Sequence, residues 1–150
     1  MAPTLADLIA EAATLEMQDF NEDAALRLGL ILVDLGKGMP IVINIRTPDR
    51  TLFHAALPGS APLNDMWVRR KSSTALLFQE ATLLVGQRNR DKGETLAKHG
   101  LPPEDYADNG GAVPIRVKGI GVVAVATVSG LPQVEDHKLV VRGIKAFLAG

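Results

Sequence analysis

Residues 108–137 read DNGGAVPIRVKGIGVVAVATVSGLPQVEDH. Paired glycines, Gly110-Gly111, open onto Ala112 to Val117, where Val113, Ile115 and Val117 alternate with Pro114 and Arg116. Pro114 has no N–H for a ladder bond, which places this strand at a sheet edge or makes the position a strand end. Lys118-Gly119 supplies a turn. The return strand, Val122 to Val128, is apolar on both faces except at Thr127, the mark of a central strand covered on both sides. Ser129-Gly130-Leu131-Pro132 then turns sharply into a last helix, with Pro132 at or near its first position. Val140, Ile144, Phe147 and Leu148 give that helix its buried stripe. The same stretch holds the one local cluster of reactive side chains: Ser129, Gln133, Glu135, Asp136 and His137.

Upstream, Thr4 is an N-cap followed by Leu5, Leu8, Ile9, Ala12 and Ala13 at helical spacing. Thr14 to Asp19 reads as a short strand with Leu15 and Met17 on one face. Asn21 caps a second helix, with Glu22 and Asp23 in its first turn and Ala24, Leu28, Ile31, Leu32 and Leu35 along one side. Gly36 and Gly38 end it. Ile41 to Ile45 alternates as a strand, Thr47-Pro48-Asp49-Arg50 is a turn, and Thr51 to Leu57 returns as the second arm of a hairpin. The spacing of Trp67, Thr74, Ala75, Phe78, Ala81 and Val85 predicts one long helix from about 62 to 88. Asp91 to His99 is a short polar helix or turn, and Leu101 to Asn109, with Pro102 and Pro103, is a loop.

Composition narrows the classes. A chain of 150 residues, 47% hydrophobic, is the size of one ordinary domain and buries roughly 70% of its unfolded surface. It contains no cysteine, which removes thiol catalysis, zinc-thiolate sites and disulfides together. A net charge of −1 with interspersed signs leaves no electrostatic footprint for nucleic acid. Asp7 and Glu11 interrupt the N-terminus where a signal peptide would be apolar, and no apolar run approaches the ~20 residues that span a bilayer. The expectation is a soluble cytoplasmic protein with no membrane or nucleic-acid partner. Strands joined as hairpins, with helices between and after them, give one α+β domain over 1–150 whose sheet is mainly antiparallel, because both strand connections are too short for a crossover.

The segment GGA-x-PIRVKG-x-G followed by VSGLPQ-x-EDH, with LFHAALPGSAPLNDMWVRRKSS (52–73) and NEDAALRLG (21–29), resembles an uncharacterised family of the haem-degrading-domain superfamily. That superfamily also contains GlcG, HbpS and PduO C-terminal-like domains. The resemblance runs from about Leu15 to Leu148. It implies a profilin-like or PAS-like fold with a five-stranded antiparallel sheet flanked by helices, and it implies homo-oligomers. It transfers no reaction.

Candidate chemistry is sparse. The three histidines, His54, His99 and His137, are far apart and form no i, i+4 pair, so no metal site is written. Haem needs only one or two axial ligands and an apolar pocket, so scattered histidines leave haem open as a cofactor or ligand. Ser129, Asp136 and His137 have the residue types of a triad, but no G-x-S-x-G elbow is present, nor a phosphate loop or dinucleotide fingerprint. An enzyme is poorly motivated. Arg69, Arg70 and Lys71 form either a solvated basic face or a patch completed by a carboxylate from a partner subunit or an anionic ligand. Because antiparallel strands bring the start of one beside the end of the next, Gly110 and Gly111 meet the turn at Ser129 and Gly130. His137, on the inward side of the last helix, points toward that gap, Asp136 is a further candidate beside it although the two side chains diverge by about 100°, and Trp67, Arg70 or Lys71 completes the wall. The expected function is a small-ligand-binding oligomeric domain, with haem or a related metabolite as the ligand class. The alternative is an oligomeric protein-interaction scaffold.

Overall fold

The computed structural model describes residues 2–150. Thr4 caps α1 (Leu5–Ala12), its hydroxyl accepting from Asp7 N while Asp7 accepts from Thr4 N. Asn21 caps α2 (Glu22–Leu35). The first hairpin is β1 (Val42–Arg46) and β2 (Thr51–Ala56). Helices α3 (Pro62–Phe78) and α4 (Thr82–Lys92) and a 3-10 turn at Leu96–His99 follow. The second hairpin is β3 (Ala112–Val117) and β4 (Gly121–Ser129), and α5 (Gln133–Ala149) closes the chain.

The fold is α+β, with one antiparallel sheet of four strands in the order β2-β1-β4-β3. Both hairpins join through β1 and β4, so β4, apolar on both faces from Val122 to Val128 except at Thr127, is central, as its composition requires. Pro114 lies on the edge strand β3, where its missing N–H breaks no ladder. The fifth strand expected from Thr14 to Asp19 shrinks to one parallel bridge between Met17 and Val117. Met17 N–H donates to Arg116 O and Met17 O accepts from Lys118 N, and beyond it the exposed Gln18 and Asp19 lead straight to the Asn21 cap.

Alternation sorts the sheet into two unlike faces. Ile43 and Ile45, with Ala124, Ala126 and Val128 of β4 and Val113 and Ile115 of β3, meet Leu28 and Leu32 of α2 and Val140 and Ile144 of α5 in one apolar core. Helices α2 and α5 approach closely because Gly143 leaves room for the Leu32 side chain. The other face, under α3, is mixed: Asn44, Thr127 and Ser129 are buried there with Lys71, Ser72 and Thr74 of the helix, beside a smaller apolar cluster of Ala75, Ala112 and Val125. Ser72 and Thr127 share a hydrogen bond of 2.8 Å, and Asn44 bonds His54 Nδ1.

The long helix expected over 62–88 is two helices. Gln79 takes a left-handed conformation at φ 58, and α4 leaves the sheet face to run along the β3 edge. Two contacts fix the break. Arg88 of α4 makes a bidentate pair with Glu80, both bonds 2.7 Å, and Arg116 of β3 donates to the Gln79 carbonyl. Thr82 is sealed against β3, its hydroxyl accepting from Ala112 N.

A Cβ added to Gly29 on α2 would collide with the Phe53 ring of β2, which lies flat against that helix. Gly29→Ala is therefore expected to destabilise the fold by about 1–3 kcal/mol despite alanine's better helix propensity. In a double-mutant cycle read by denaturant midpoints, the penalty should shrink when Phe53 is already alanine. Equal penalties in both backgrounds would show that the helix does not rest on that ring.

Candidate functional site

Helix α3 crosses the sheet so that Lys71 points down at the junction of the β3 start, the β4 end and the first turn of α5. Its Nζ donates to Val128 O at 2.7 Å, to Gly110 O at 3.0 Å and to Asp136 Oδ2 at 3.3 Å. Those acceptors use all the hydrogens an ammonium has. The other carboxylate oxygen, Oδ1, accepts from Leu131 N at 2.9 Å in the turn between β4 and α5. Both side chains are sealed, at 3% and 4% exposure. Gly111, at φ +133, is required here: a Cβ would strike Lys71 Nζ and the Val128 carbonyl. Burial pulls the Lys71 ammonium below its ordinary value, with Asp136 opposing. Burial likewise raises the Asp136 carboxyl to about 6, against Lys71 and the turn's amides.

Above this pair lies a cleft of about 250 Å³ lined by Asn64, Trp67, Lys71, Asn109, Gly110, Ser129, Gly130, Leu131, Gln133 and Asp136. The structure therefore brings together Gly110, Ser129, Gly130, Asp136, Trp67 and Lys71 from the sequence-derived set, with Gly111 packed beneath them. Two members lie elsewhere. Arg70 stacks over the Trp67 ring, 4.3 Å from its centroid, and lines a separate hollow with Tyr106, Ala107 and Asp108. His137 faces away from the cleft because successive helical residues diverge by about 100° and Asp136 holds the cleft side. Nor is Lys71 part of a solvated basic face: the carboxylate completing it comes from its own chain.

His137, 2% exposed, lines a mainly apolar hollow of about 180 Å³ between α1, the α3–α4 break and β3. Its Nε2 meets Glu11 Oε1 of α1 at 2.6 Å, and Nδ1 is sealed without a partner. The hydrogen bond from His137 holds the Glu11 carboxyl below its ordinary value. His54 has Nδ1 on Asn44 and Nε2 on Asp65 of α3 at 2.9 Å. His99 is exposed, edge-on to Phe78. Among the described residues, no three of His, Asp or Glu gather as a metal site. No helix among them is long and apolar enough to cross a membrane.

Sequence reasoning missed Asn64 and Asn109 as wall residues and did not place Gln133 in the wall. Asn64 was legible as the third residue of α3, the position that reaches back to cap a helix, and its Oδ1 does accept from Ala61 N at 2.9 Å. Gln133 crosses to the other segment of the site, accepting from Gly110 N at 2.9 Å.

The chain belongs to the family described as haem degrading protein HbpS-like, which matches residues 20–145. It is 46% identical over 150 residues to a UPF0303 protein of Streptomyces coelicolor, covering 98% of this chain and 95% of that one. A UPF0303 protein of Edwardsiella ictaluri is 42% identical over 147 residues, covering 96% of this chain and 94% of the relative. Among solved structures, the Ybr137w protein superimposes with a TM-score of 0.91 at 30% identity, over 99% of this chain and 90% of that chain. The complex of PduOC with heme shares the fold at a TM-score of 0.72 and 17% identity, over 85% of this chain and 94% of that chain.

Removing one partner of the sealed pair strands the other, so Lys71→Met is expected to lower stability by about 3–5 kcal/mol in denaturant melts. A loss below about 1 kcal/mol would mean that the pair holds nothing together. The two acids titrate with opposite signs. Asp136 keeps its proton more tightly in the native state, so its contribution is complete below its ordinary value of 3.8 and is lost as pH rises through about 6. Wild type should thus lose stability relative to Asp136→Asn between about pH 4 and pH 7. Glu11 is shifted down, so its contribution is present above its ordinary value of 4.5 and is lost in acid. Glu11→Gln should speed hydrogen exchange across α1 at neutral pH, and that difference from wild type should vanish in acid. A difference that persists unchanged at low pH would remove Glu11 as the clasp of α1.

Proposed function

We propose that this chain is a small-ligand-binding domain that works as a homo-oligomer, with its ligand in the cleft between α3 and the first turn of α5. The observation that carries this reading is the convergence of three separate stretches, 64–71, 109–110 and 129–136, on one concave site with a shifted ion pair at its floor. No nucleophile paired with a base accompanies them, so binding rather than turnover is the proposed role. Self-association is supported by exposed apolar side chains: Leu26 and Leu30 one turn apart on α2, and Leu63 and Met66 on α3.

Haem is the second reading, favoured by the family description and by the heme complex of a structural neighbour. A haem iron takes His, Cys, Met or Tyr as its axial ligand, and the cleft lining contains none of these. His137 has one nitrogen on Glu11 and the other sealed, and His54 has both nitrogens engaged. Neither the cleft nor the hollow at His137 therefore fits haem, and the third hollow, beside Arg70, offers the half-buried Tyr106 alone as an axial group. Haem binding by this chain would draw its axial group from the exposed His99 or from Tyr106, and its walls from more than one copy.

Absorbance titration of purified protein with haemin separates these readings, with light scattering giving the mass. Diffuse uptake without a stoichiometric Soret shift is the expected outcome. A saturable shift abolished by His99→Ala or by Tyr106→Phe would replace the cleft reading with the haem reading. A monomeric mass at micromolar concentration would overturn self-association. An oligomer that takes up no small molecule would leave the scaffold role in place of both.

A further inference from the structure

The hydrogen-bonding capacity of the cleft is lopsided. Its one carboxylate, Asp136, has both oxygens engaged, by Leu131 N and by Lys71. Asn64 and Gln133 each have their amide oxygen fixed on a backbone N–H, of Ala61 and of Gly110. A backbone N–H needs an acceptor, so these bonds settle which way each amide points and leave its NH₂ group facing away from them. Neither amide nitrogen has a protein partner, nor does the indole N–H of Trp67, which can only donate. The first turn of α5 has no side-chain cap at Pro132, so its N–H groups add further donors beside Gln133.

Ser129 supplies an independent sign of a ligand. It is the last residue of β4, 4% exposed, and its hydroxyl bonds no other group of the protein. Its neighbour on the same face, Thr127, is satisfied by Ser72. Unlike the sealed orphans Arg70 Nε and His137 Nδ1, Ser129 Oγ keeps contact with the cleft it lines. A nearly buried hydroxyl lacks a partner here among surplus donors.

We infer that the cleft recognises a carboxylate, seated against Ser129 Oγ and the free N–H groups of Asn64, Gln133 and the first turn of α5. This rests on the cleft being the ligand site and names the chemistry it accepts. Apart from the amide oxygen of the exposed Asn109, the free side-chain groups of the lining are donors or the Ser129 hydroxyl, and such a set selects a group with several lone pairs and no hydrogens. The charge of Asp136 is offset by Lys71 at its side, so the floor presents no net negative charge to an arriving anion. Glu135, exposed on the adjacent turn, limits the preference to small anions of low charge. The volume of about 250 Å³ holds only a small acid, below the range usual for drug-sized ligands.

The test is amide-resolved NMR titration of the intact protein at constant ionic strength and neutral pH. The probes are acetate, lactate and malonate, set against acetamide, lactamide, ethylamine and chloride. Carboxylates are expected to shift Ser129, Gly130 and the side-chain amides of Asn64 and Gln133 in a saturable manner. Ser129→Ala should weaken that binding about tenfold or more while leaving the melting temperature nearly unchanged, because the hydroxyl bonds nothing in the fold. Chloride acting as well as the carboxylates would mean an adventitious ion only and overturn the inference. Saturable binding of the amides or ethylamine at the same residues, in preference to the acids, would overturn the carboxylate while leaving the cleft as the site. Saturable shifts confined to other parts of the protein would overturn the cleft itself.

Discussion

The Lys71–Asp136 pair is the constraint on which the polar half of this structure depends. Its lysine comes from α3, its carboxylate from α5, and the remaining acceptors from the start of β3 and the end of β4. One ammonium thus fixes two helices and both ends of a hairpin to one point. Desolvating two charges is costly, and apolar substitutes for buried pairs are often as stable or more so. At this position an apolar plug would leave the carbonyls of Gly110 and Val128 and the amide of Leu131 without their partners. The pair answers those backbone groups as well as each other, and Gly111 is the residue that makes space for it.

The two faces of the sheet divide the work. Under α2 and α5 the core is almost wholly aliphatic, with Ile43, Ile45, Val113, Ile115, Val128 and Ile144 in contact and fully buried. This side supplies the bulk of the burial free energy. Under α3 a smaller apolar cluster of Ala75, Ala112 and Val125 sits beside buried polar groups, Asn44, Ser72, Thr74, Thr127 and Lys71, each with a partner. Such a layer positions groups directionally, which an aliphatic layer cannot do. Ser129 is the exception on that face, and it lies where the layer opens into the cleft.

The strands and their turns were legible because alternation, Thr47-Pro48-Asp49-Arg50 and Lys118-Gly119 are local signals that the tertiary structure leaves intact. The break at Gln79 was not legible. Its apolar stripe runs on through Ala81 and Val85, no glycine or proline marks the turn, and the left-handed residue is one that rarely adopts that conformation. The fifth strand failed because Met17 has pairing partners on each side for a single residue only. The meeting of Gly110 with Ser129 and Gly130 followed from hairpin geometry alone. The burial of Lys71 did not, since its three partners stand 39, 57 and 65 residues away and its neighbours Arg69 and Arg70 are at the surface or half-buried. Likewise the partner of His137 lies 126 residues upstream, on a helix whose only local reading is amphipathic.

Adjacent residues at the start of α5 therefore serve different sides of the molecule. Asp136 looks toward α3 and the polar cleft, and His137 looks toward α1 and the apolar hollow. The 100° between them is enough to place a whole helix turn between two environments. It follows that α5 cannot rotate about its axis to improve one contact without losing the other. Sliding it along its axis is blocked in turn by the Gly143–Leu32 contact with α2. The first turn of α5 is thereby held at the end of β4 from three directions, while the cleft residues above it, Asn64, Ser129 and Gln133, keep donors that the fold itself does not use. A rigid floor with unengaged groups at its rim is the arrangement that preorganised recognition requires, because ordering of the site is complete before anything arrives.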